Sequence, residues 1–164
     1  DLDPNLETIR KDLLFKPDWS DAEFDGLIKR LKSYPYKVRP DELDMAKIRC
    51  YIVEKRDFLL AMLENPNLME HETFTELLRA VFHLAEELKF RSAVENLPKE
   101  DLVHLGNDID RTYRMLVHEW VAYMRHLKSN FPYFFSLAMR TNPFDQKASV
   151  IVSAAGGVRD PQTC

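Results

Sequence analysis

KEDLVHLGNDIDRTYRMLVHEWVAYMRHLKSN, residues 99–130, decides the fold class, because it runs for 32 residues without a proline. Apolar residues recur along it at a spacing close to 3.6, which is the period of a helix that buries one face. Gly106 weakens the pattern locally without ending it. We therefore predict one long amphipathic helix. Its expected buried stripe comprises Leu102, Leu105, Ile109, Tyr113, Leu116, Trp120 and Leu127.

Further helices are predicted on the N-terminal side of this stretch. A short helix is expected within residues 3–15, and a second begins after Ser20, which has the spacing of a capping box with Glu23. Residues 41–65 and 68–90 predict two more long helices, because neither range is interrupted by glycine and the only proline, Pro66, falls between them. Three long helices joined by short connectors predict an all-α fold, an antiparallel helical bundle with the shorter helices packed across it.

The C-terminal part of the chain divides in two. Residues 129–145, SNFPYFFSLAMRTNPFD, contain two prolines, which predict a last short helix over 133–139. After Asp145 the helical period is lost. We expect a helical bundle domain over residues 1–145 and an extended or disordered tail over residues 146–164.

Composition limits the possible functions. The 164 residues are 45% apolar and 30% charged with four glycines, as expected for one compact helical domain. The net charge of −4 arises from 27 acidic and 23 basic residues mixed along the chain, so nucleic acid is not an expected partner. No apolar run reaches the roughly 18 to 20 residues of a spanning helix, so this piece alone is expected to be soluble. Cys50 lies within a predicted helix and is expected to be a buried structural thiol.

Five histidines among many carboxylates raise the question of a metal site. Di-iron bundles place a histidine three residues after a glutamate, and no histidine here has that spacing. On a helical wheel His83 falls opposite the core direction, and His118 falls away from the core. The chain also lacks a Gly-x-Ser-x-Gly motif and a glycine-rich phosphate loop. We therefore predict no catalytic residue, no cofactor and no metal ligand, and we expect the chain not to be an enzyme.

The aromatic residues of 129–145 allow two interpretations. If residues 132–139 are helical, Tyr133, Phe134 and Phe135 spread over about 200° of the helix surface, which is more than one core seam can absorb. The rings then either close one end of the bundle as a lid or form a surface for self-association or docking. Both interpretations remain open at this point.

Two stretches resemble a known group of sequences: LLAMLENPNLMEHETFTELLRAVFHLAEELKF, residues 59–90, and EWVAYMRHLKSNFPYFFSLAMRTNPFDQKASVIV, residues 119–152. They resemble the cytoplasmic C-terminal region of prokaryotic, especially archaeal, potassium-channel-like ion channel proteins with two transmembrane helices. The resemblance implies a regulatory or assembly domain at the cytoplasmic face of the cell membrane, attached to a transmembrane pore module. A Thr-Val-Gly-Tyr-Gly-type filter is absent here, so these residues are assigned no channel activity.

The function expected from the sequence is that of a non-catalytic cytosolic domain that acts through helix–helix self-association. The partner is a second copy of the chain, in a dimer or, as the resemblance implies, a tetramer. A metal- or ligand-binding helical-bundle enzyme and a stand-alone protein-interaction adaptor are the alternatives. The candidate interface residues are Phe131, Tyr133, Phe134, Phe135, Arg140, Asn142, Phe144, His71 and Phe74.

Overall fold

The computed structural model describes residues 5–152, and within that range all regular structure is helical. This confirms the all-α fold class. A single turn of 3₁₀ helix, Pro40–Glu42, precedes the third α-helix. The α-helices are α1 Leu6–Asp12, α2 Asp21–Lys32, α3 Met45–Glu54, α4 Arg56–Leu63, α5 Pro66–Met69, α6 Glu72–Phe90, α7 Lys99–Asn130 and α8 Pro132–Arg140. None of the described helices is long and apolar enough to cross a membrane.

Helix α7 confirms the prediction made from residues 99–130. Its 32 residues correspond to about 48 Å of helix at 1.5 Å per residue. It follows Pro98 and ends at Asn130, and the non-helical backbone of Phe131 (φ −139°, ψ 67°) separates it from α8, which starts at Pro132. The length of α7 lets it serve as the common support of the molecule.

Two hydrophobic cores lie along α7. The first core joins α1, α2 and α8 to the C-terminal half of α7, and the second joins α3 and the end of α6 to the N-terminal half of α7. The first core is built from Ile9, Leu13, Phe15, Phe24, Leu27, Leu31, Val117, Val121, Met124, Leu127 and Phe135. The second is built from Met45, Leu84, Leu88, Val94 and Leu105.

The predicted buried stripe of α7 is wrong at Leu116 and Trp120 and right at Leu127, which is buried in the first core. Leu116 is exposed and Trp120 is only half-buried, whereas Val117, Val121 and Met124 are fully buried. The difference arises because α7 is contacted by α2 and α8 on one side and by α6 on another. A helix with neighbours on two sides has a wide apolar surface, and spacing alone does not say which part each neighbour covers.

The predicted long helix over residues 41–65 is also wrong. At Lys55 the backbone has ψ 2°, far from the value of about −42° of an α-helix, and the chain divides there into α3 and α4. Both pieces pack against α6. Among the described helices only α7 therefore exceeds twenty residues, so the expected set of three long helices is not present. Cys50, predicted to be buried, is exposed on α3.

Residues 146–152 fold back onto the end of α8. The amide of Ser149 donates to the carbonyl oxygen of Arg140 at 2.8 Å, and the Arg140 guanidinium donates to the carbonyl oxygen of Val150 at 2.5 Å. The first part of the predicted tail is therefore tied to the helical domain. The remainder of that prediction, residues 153–164, lies outside the described residues.

Candidate functional site

An open groove lies between the start of α6, the middle of α7 and the turn that follows α8. Its volume is about 820 Å³, and we call it the aromatic groove. That volume is within the range of about 300–1,000 Å³ typical of binding sites. The lining residues are His71, Thr73, Phe74, Leu77, Tyr113, Leu116, Val117, Glu119, Trp120, Ala122, Tyr123, His126, Pro143 and Phe144.

Helix geometry brings these side chains to one surface. On α7, Leu116, Trp120 and Tyr123 are spaced by four and three residues, so they lie on one face of the helix. On α6, Phe74 and Leu77 are three residues apart and face them across the groove. His71, the residue before α6, has an extended conformation and accepts the amide of Thr75 at its carbonyl oxygen at 2.9 Å. Most of the groove is therefore lined by the two regular helices α6 and α7.

The aromatic groove carries almost no charge. Glu119 is the one lining residue with a formal charge when the histidines are neutral. Charged side chains are depleted at the centres of protein–protein interfaces, whereas aromatic side chains are enriched there. The composition of the groove thus fits an apolar occupant.

A chain of ring contacts continues from the groove to α8. The rings of His126 and Phe131 are 5.6 Å apart between centroids, and those of Phe131 and Phe134 are 6.2 Å apart. Tyr133 is 91% exposed and Phe134 is 62% exposed. We call Phe131, Tyr133 and Phe134 the exposed rings. Together with the groove they form a continuous aromatic surface.

The structure separates the nine predicted interface residues into two groups. Phe131, Tyr133, Phe134 and His71 are exposed, and Phe74 and Phe144 are half-buried in the wall of the groove, where Phe144 also packs on the first core. Phe135, Asn142 and Arg140 are engaged within the chain itself. The aromatic segment therefore contains both internally packed residues and exposed rings.

The internal group has specific contacts. Phe135 is buried in the first core, with the Lys128 ammonium 5.7 Å from its ring centroid. Asn142 is 1% exposed, and its Nδ2 donates to the carbonyl oxygen of Leu13 at 2.6 Å while its Oδ1 accepts the Phe144 amide. Asn142 thus joins the end of α1 to the turn after α8. These contacts assign Phe135 and Asn142 to internal packing.

Residue-by-residue reading of the sequence missed the part of the surface that α7 provides. Trp120 was predicted as a core residue, and Tyr123 and His126 were not selected. The available signal was the row Leu116, Trp120 and Tyr123, which is a second apolar line beside Val117, Val121 and Met124. Two rows of apolar residues on one helix indicate that two different parts of the structure pack against it.

The predicted position of His118 is wrong, whereas His83 is exposed, as predicted. His118 is half-buried, with its ring centroid 6.1 Å from that of Tyr36 and a hydrogen bond to the backbone of Leu31. Burial lowers the pKa of His118, so the neutral imidazole is favoured. His83 faces α7, where its Nε2 lies 3.4 Å from Asp108. The helical wheel placed His118 away from the core because it took Leu116, which is exposed, as the core direction of α7.

The comparisons with known proteins agree with the helical fold. Residues 1–140 match the family model described as "Uncharacterized protein MJ1433, C-terminal helical domain". The chain is also 44% identical, over 150 residues, to "Uncharacterized protein MJ1433" of Methanocaldococcus jannaschii. That similarity covers 92% of this chain and 61% of the relative, so the chain spans less than two thirds of the relative's length. No solved structure gives a significant match. The chain therefore belongs to the family of the MJ1433 C-terminal helical domain.

Proposed function

We propose that this domain is a non-catalytic assembly module that binds a second copy of itself through the aromatic groove and the exposed rings. The observation that supports the proposal is the continuity of the aromatic surface from Trp120 through His126 to Phe134. Exposed apolar surface of this kind is uncommon on monomers and usually marks an interface.

A second copy is a suitable occupant because the surface is nearly free of charge. In a two-fold symmetric dimer the same patch meets itself, so a patch dominated by one sign of charge would repel its copy. Here the groove carries Glu119 as its one formal charge, and the opposing faces would not repel each other strongly. Tyr133 and Phe134 project from α8 and are suited to enter the groove of the other copy as anchors.

A membrane context is a separate part of the proposal. The matched family and the relative carry no ion-channel description, so an attached pore module at the cytoplasmic face is supported by the sequence resemblance alone. A tetramer would fit that context, and a dimer would fit the two-fold arrangement. Deleting this domain from a full-length chain and recording ion conduction would test whether it gates a pore, assembles one, or does neither.

Light scattering over a range of protein concentrations tests the assembly. We expect the wild-type mass to rise from that of a monomer towards a dimer or larger. The double variant Tyr133→Ser, Phe134→Ser should remain a monomer, because it removes the two most exposed rings of the surface. Phe90→Ser is the matched control, since Phe90 is 77% exposed at the end of α6 and does not line the groove.

Two results would contradict the proposal. One is a wild-type chain that stays strictly monomeric at high concentration. The other is loss of association in the Phe90→Ser control to the same degree as in the double variant. Circular dichroism of each variant checks that the helical fold is retained.

A further inference from the structure

Three consecutive aliphatic side chains beyond α8 are exposed. Val150 is 63% exposed, Ile151 69% and Val152 78%, and we call these three residues the aliphatic segment. Among the described residues no longer run of exposed large hydrophobic side chains occurs. Single exposed apolar side chains are common on any protein, whereas contiguous ones mark interaction sites.

The backbone that carries the aliphatic segment is held by hydrogen bonds. The Ser149 amide donates to the carbonyl oxygen of Arg140, the last residue of α8, at 2.8 Å. The Arg140 guanidinium reaches in the other direction, and its Nη1 donates to the carbonyl oxygen of Val150 at 2.5 Å. The Ile151 amide donates to Ser149 Oγ at 3.2 Å. A segment whose backbone is already ordered loses less conformational entropy when it binds a partner.

The turn between α8 and the aliphatic segment is closed by contacts of its own. The Asp145 amide donates to the carbonyl oxygen of Asn142 at 3.0 Å, and Asp145 Oδ1 accepts the Lys147 amide at 2.8 Å. Asn142 is in turn bonded to the carbonyl oxygen of Leu13. The turn is therefore anchored to the end of α1.

The aliphatic segment continues the aromatic surface along α8. Phe134, Leu137 and Arg140 are spaced by three residues, so they lie in one row on the helix. Phe134 is one of the exposed rings, Leu137 is 41% exposed, and Arg140 contacts Val150. The apolar surface therefore extends from the aromatic groove, through the exposed rings, to the far end of α8.

The charge of this extension favours a second copy over a lipid surface. Between residues 129 and 152 the charged residues are Arg140, Asp145 and Lys147, which leave a net charge of one unit. So small a charge does not make a surface repel its own copy strongly. Recognition of anionic lipid relies on clusters of about 4–8 basic residues, and this stretch has two.

We propose that the aliphatic segment is part of the contact with the second copy of the chain, and that Arg140 is the residue that positions it. This contact rests on the self-association proposed above and adds a further surface to it. Three aliphatic side chains that leave water at the contact strengthen association. Removing the guanidinium leaves the Val150 carbonyl oxygen without this donor and loosens the segment from α8.

The triple variant Val150→Ser, Ile151→Ser, Val152→Ser tests the contact. In light scattering over a range of concentrations, we expect its dissociation constant to be at least about 10-fold higher than that of the wild type. Val103→Ser is the control, because Val103 is 52% exposed on α7 and does not line the aromatic groove. The dissociation constant of the control should equal that of the wild type.

Arg140→Met tests the positioning role separately. It should also raise the dissociation constant, whereas Lys147→Met, which removes the same charge from an exposed residue of the same turn, should not. Amide hydrogen exchange over residues 149–151 should slow in the wild type as association proceeds, and Arg140→Met should reduce this slowing. A purely structural role of Arg140 would lower stability and leave the dissociation constant unchanged, which would contradict the positioning role.

The outcomes separate this contact from the proposed function. A wild type that stays monomeric would overturn both. If the wild type associates, the variant Tyr133→Ser, Phe134→Ser does not, and the triple variant associates like the wild type, only the contact through the aliphatic segment is overturned. Binding to phosphatidylglycerol vesicles that is lost in the triple variant, with self-association unchanged, would assign the segment to a lipid surface instead. If circular dichroism shows that the triple variant is unfolded, Arg140→Met decides.

Discussion

Gly106 lies where Pro40 crosses the long helix α7. A Cβ atom added at Gly106 would be 3.1 Å from Cγ and 3.3 Å from Cβ of the Pro40 ring. Those distances are shorter than ordinary van der Waals contacts, and a proline ring has little freedom to turn away. The glycine that weakens the helical pattern in the sequence is therefore the residue that lets the 3₁₀ turn approach α7.

Substitution of the two helical glycines tests this contact. Gly26→Ala in α2 should raise the free energy of unfolding by roughly 0.5–1 kcal/mol, because alanine favours helix and its Cβ would meet only the flexible Arg30 side chain at 3.6 Å. Gly106→Ala should not show this gain, because the clash with Pro40 offsets it. Chemical denaturation of both variants measures the difference. Equal stabilisation by the two substitutions would contradict the role assigned to Pro40.

The burial of Asn142 could not be predicted from the residue and its neighbours in the sequence. The last helix was predicted to end at Met139, and α8 ends at Arg140, so Asn142 lies two residues beyond the helix. Nothing near Asn142 in the sequence indicates that its side chain is buried, because its partner, the carbonyl oxygen of Leu13, is 129 residues away. The exposure of Tyr133 and Phe134 was easier to predict, because three consecutive rings on a helix cannot share one buried face.

Among the helices, α2 has the clearest start signal. The capping box predicted from Ser20 and Glu23 is present: the Glu23 amide donates to Ser20 Oγ, and the Ser20 amide donates to Glu23 Oε2 at 2.5 Å. The hydrogen bonds from the Ser20 amide and hydroxyl lower the pKa of Glu23 below its ordinary value of 4.5. The start of α2 is therefore stabilised by an ionised carboxylate.

Acidification should weaken this start. The folded chain has the lower pKa, so the contribution of Glu23 is complete above pH 4.5 and is lost as the pH falls through the lowered value. We expect the thermal midpoint of Glu23→Gln to fall less than that of the wild type between pH 6 and about pH 3. Glu100→Gln is the control, because Glu100 is in the first turn of α7, which has no side-chain cap. Identical pH profiles for wild type and Glu23→Gln would contradict the role of the capping box.

Helix ends were predicted close to their observed positions at Ser20, Pro98 and Pro132, where a cap or a proline marks them. The division between α3 and α4 at Lys55 was not predicted, because no glycine or proline lies there and the pattern of residues 41–65 is that of one helix. Packing of both α3 and α4 on α6 accompanies the break, and that packing is a tertiary effect. The groove escaped prediction for a similar reason: it exists only where α6 and the turn after α8 meet α7.

At the scale of the whole molecule, α7 contributes buried residues to both cores. Leu88 is fully buried in the second core, whereas Trp19 and Trp120 pack against the first core. The tryptophans are the two in the chain, so their fluorescence reports on the first core. If the two cores unfold together, a substitution that destabilises the second core should also shift the unfolding transition reported by the tryptophans of the first core.

Leu88→Ala tests this coupling. The substitution should lower the free energy of unfolding by about 2–5 kcal/mol, as expected for a leucine removed from a packed core. We expect tryptophan fluorescence and far-ultraviolet circular dichroism to report the same lowered midpoint in a denaturant titration. Two separate transitions, with the fluorescence midpoint unchanged, would show that the cores unfold independently.

The first core also has a consequence for synthesis of the chain. Asp21 and Asp25 on α2 pair with Arg125 on α7, and the first of these contacts joins residues 104 positions apart. A ribosome adds about 5–20 residues per second, so Arg125 is synthesised roughly 5–20 s after Asp21. The helices α1 and α2 are therefore made well before the part of α7 that they contact. During that interval Phe24 and Leu27 have no partner on α7, so chaperone dependence and aggregation of the nascent chain should be greatest before residue 125 emerges.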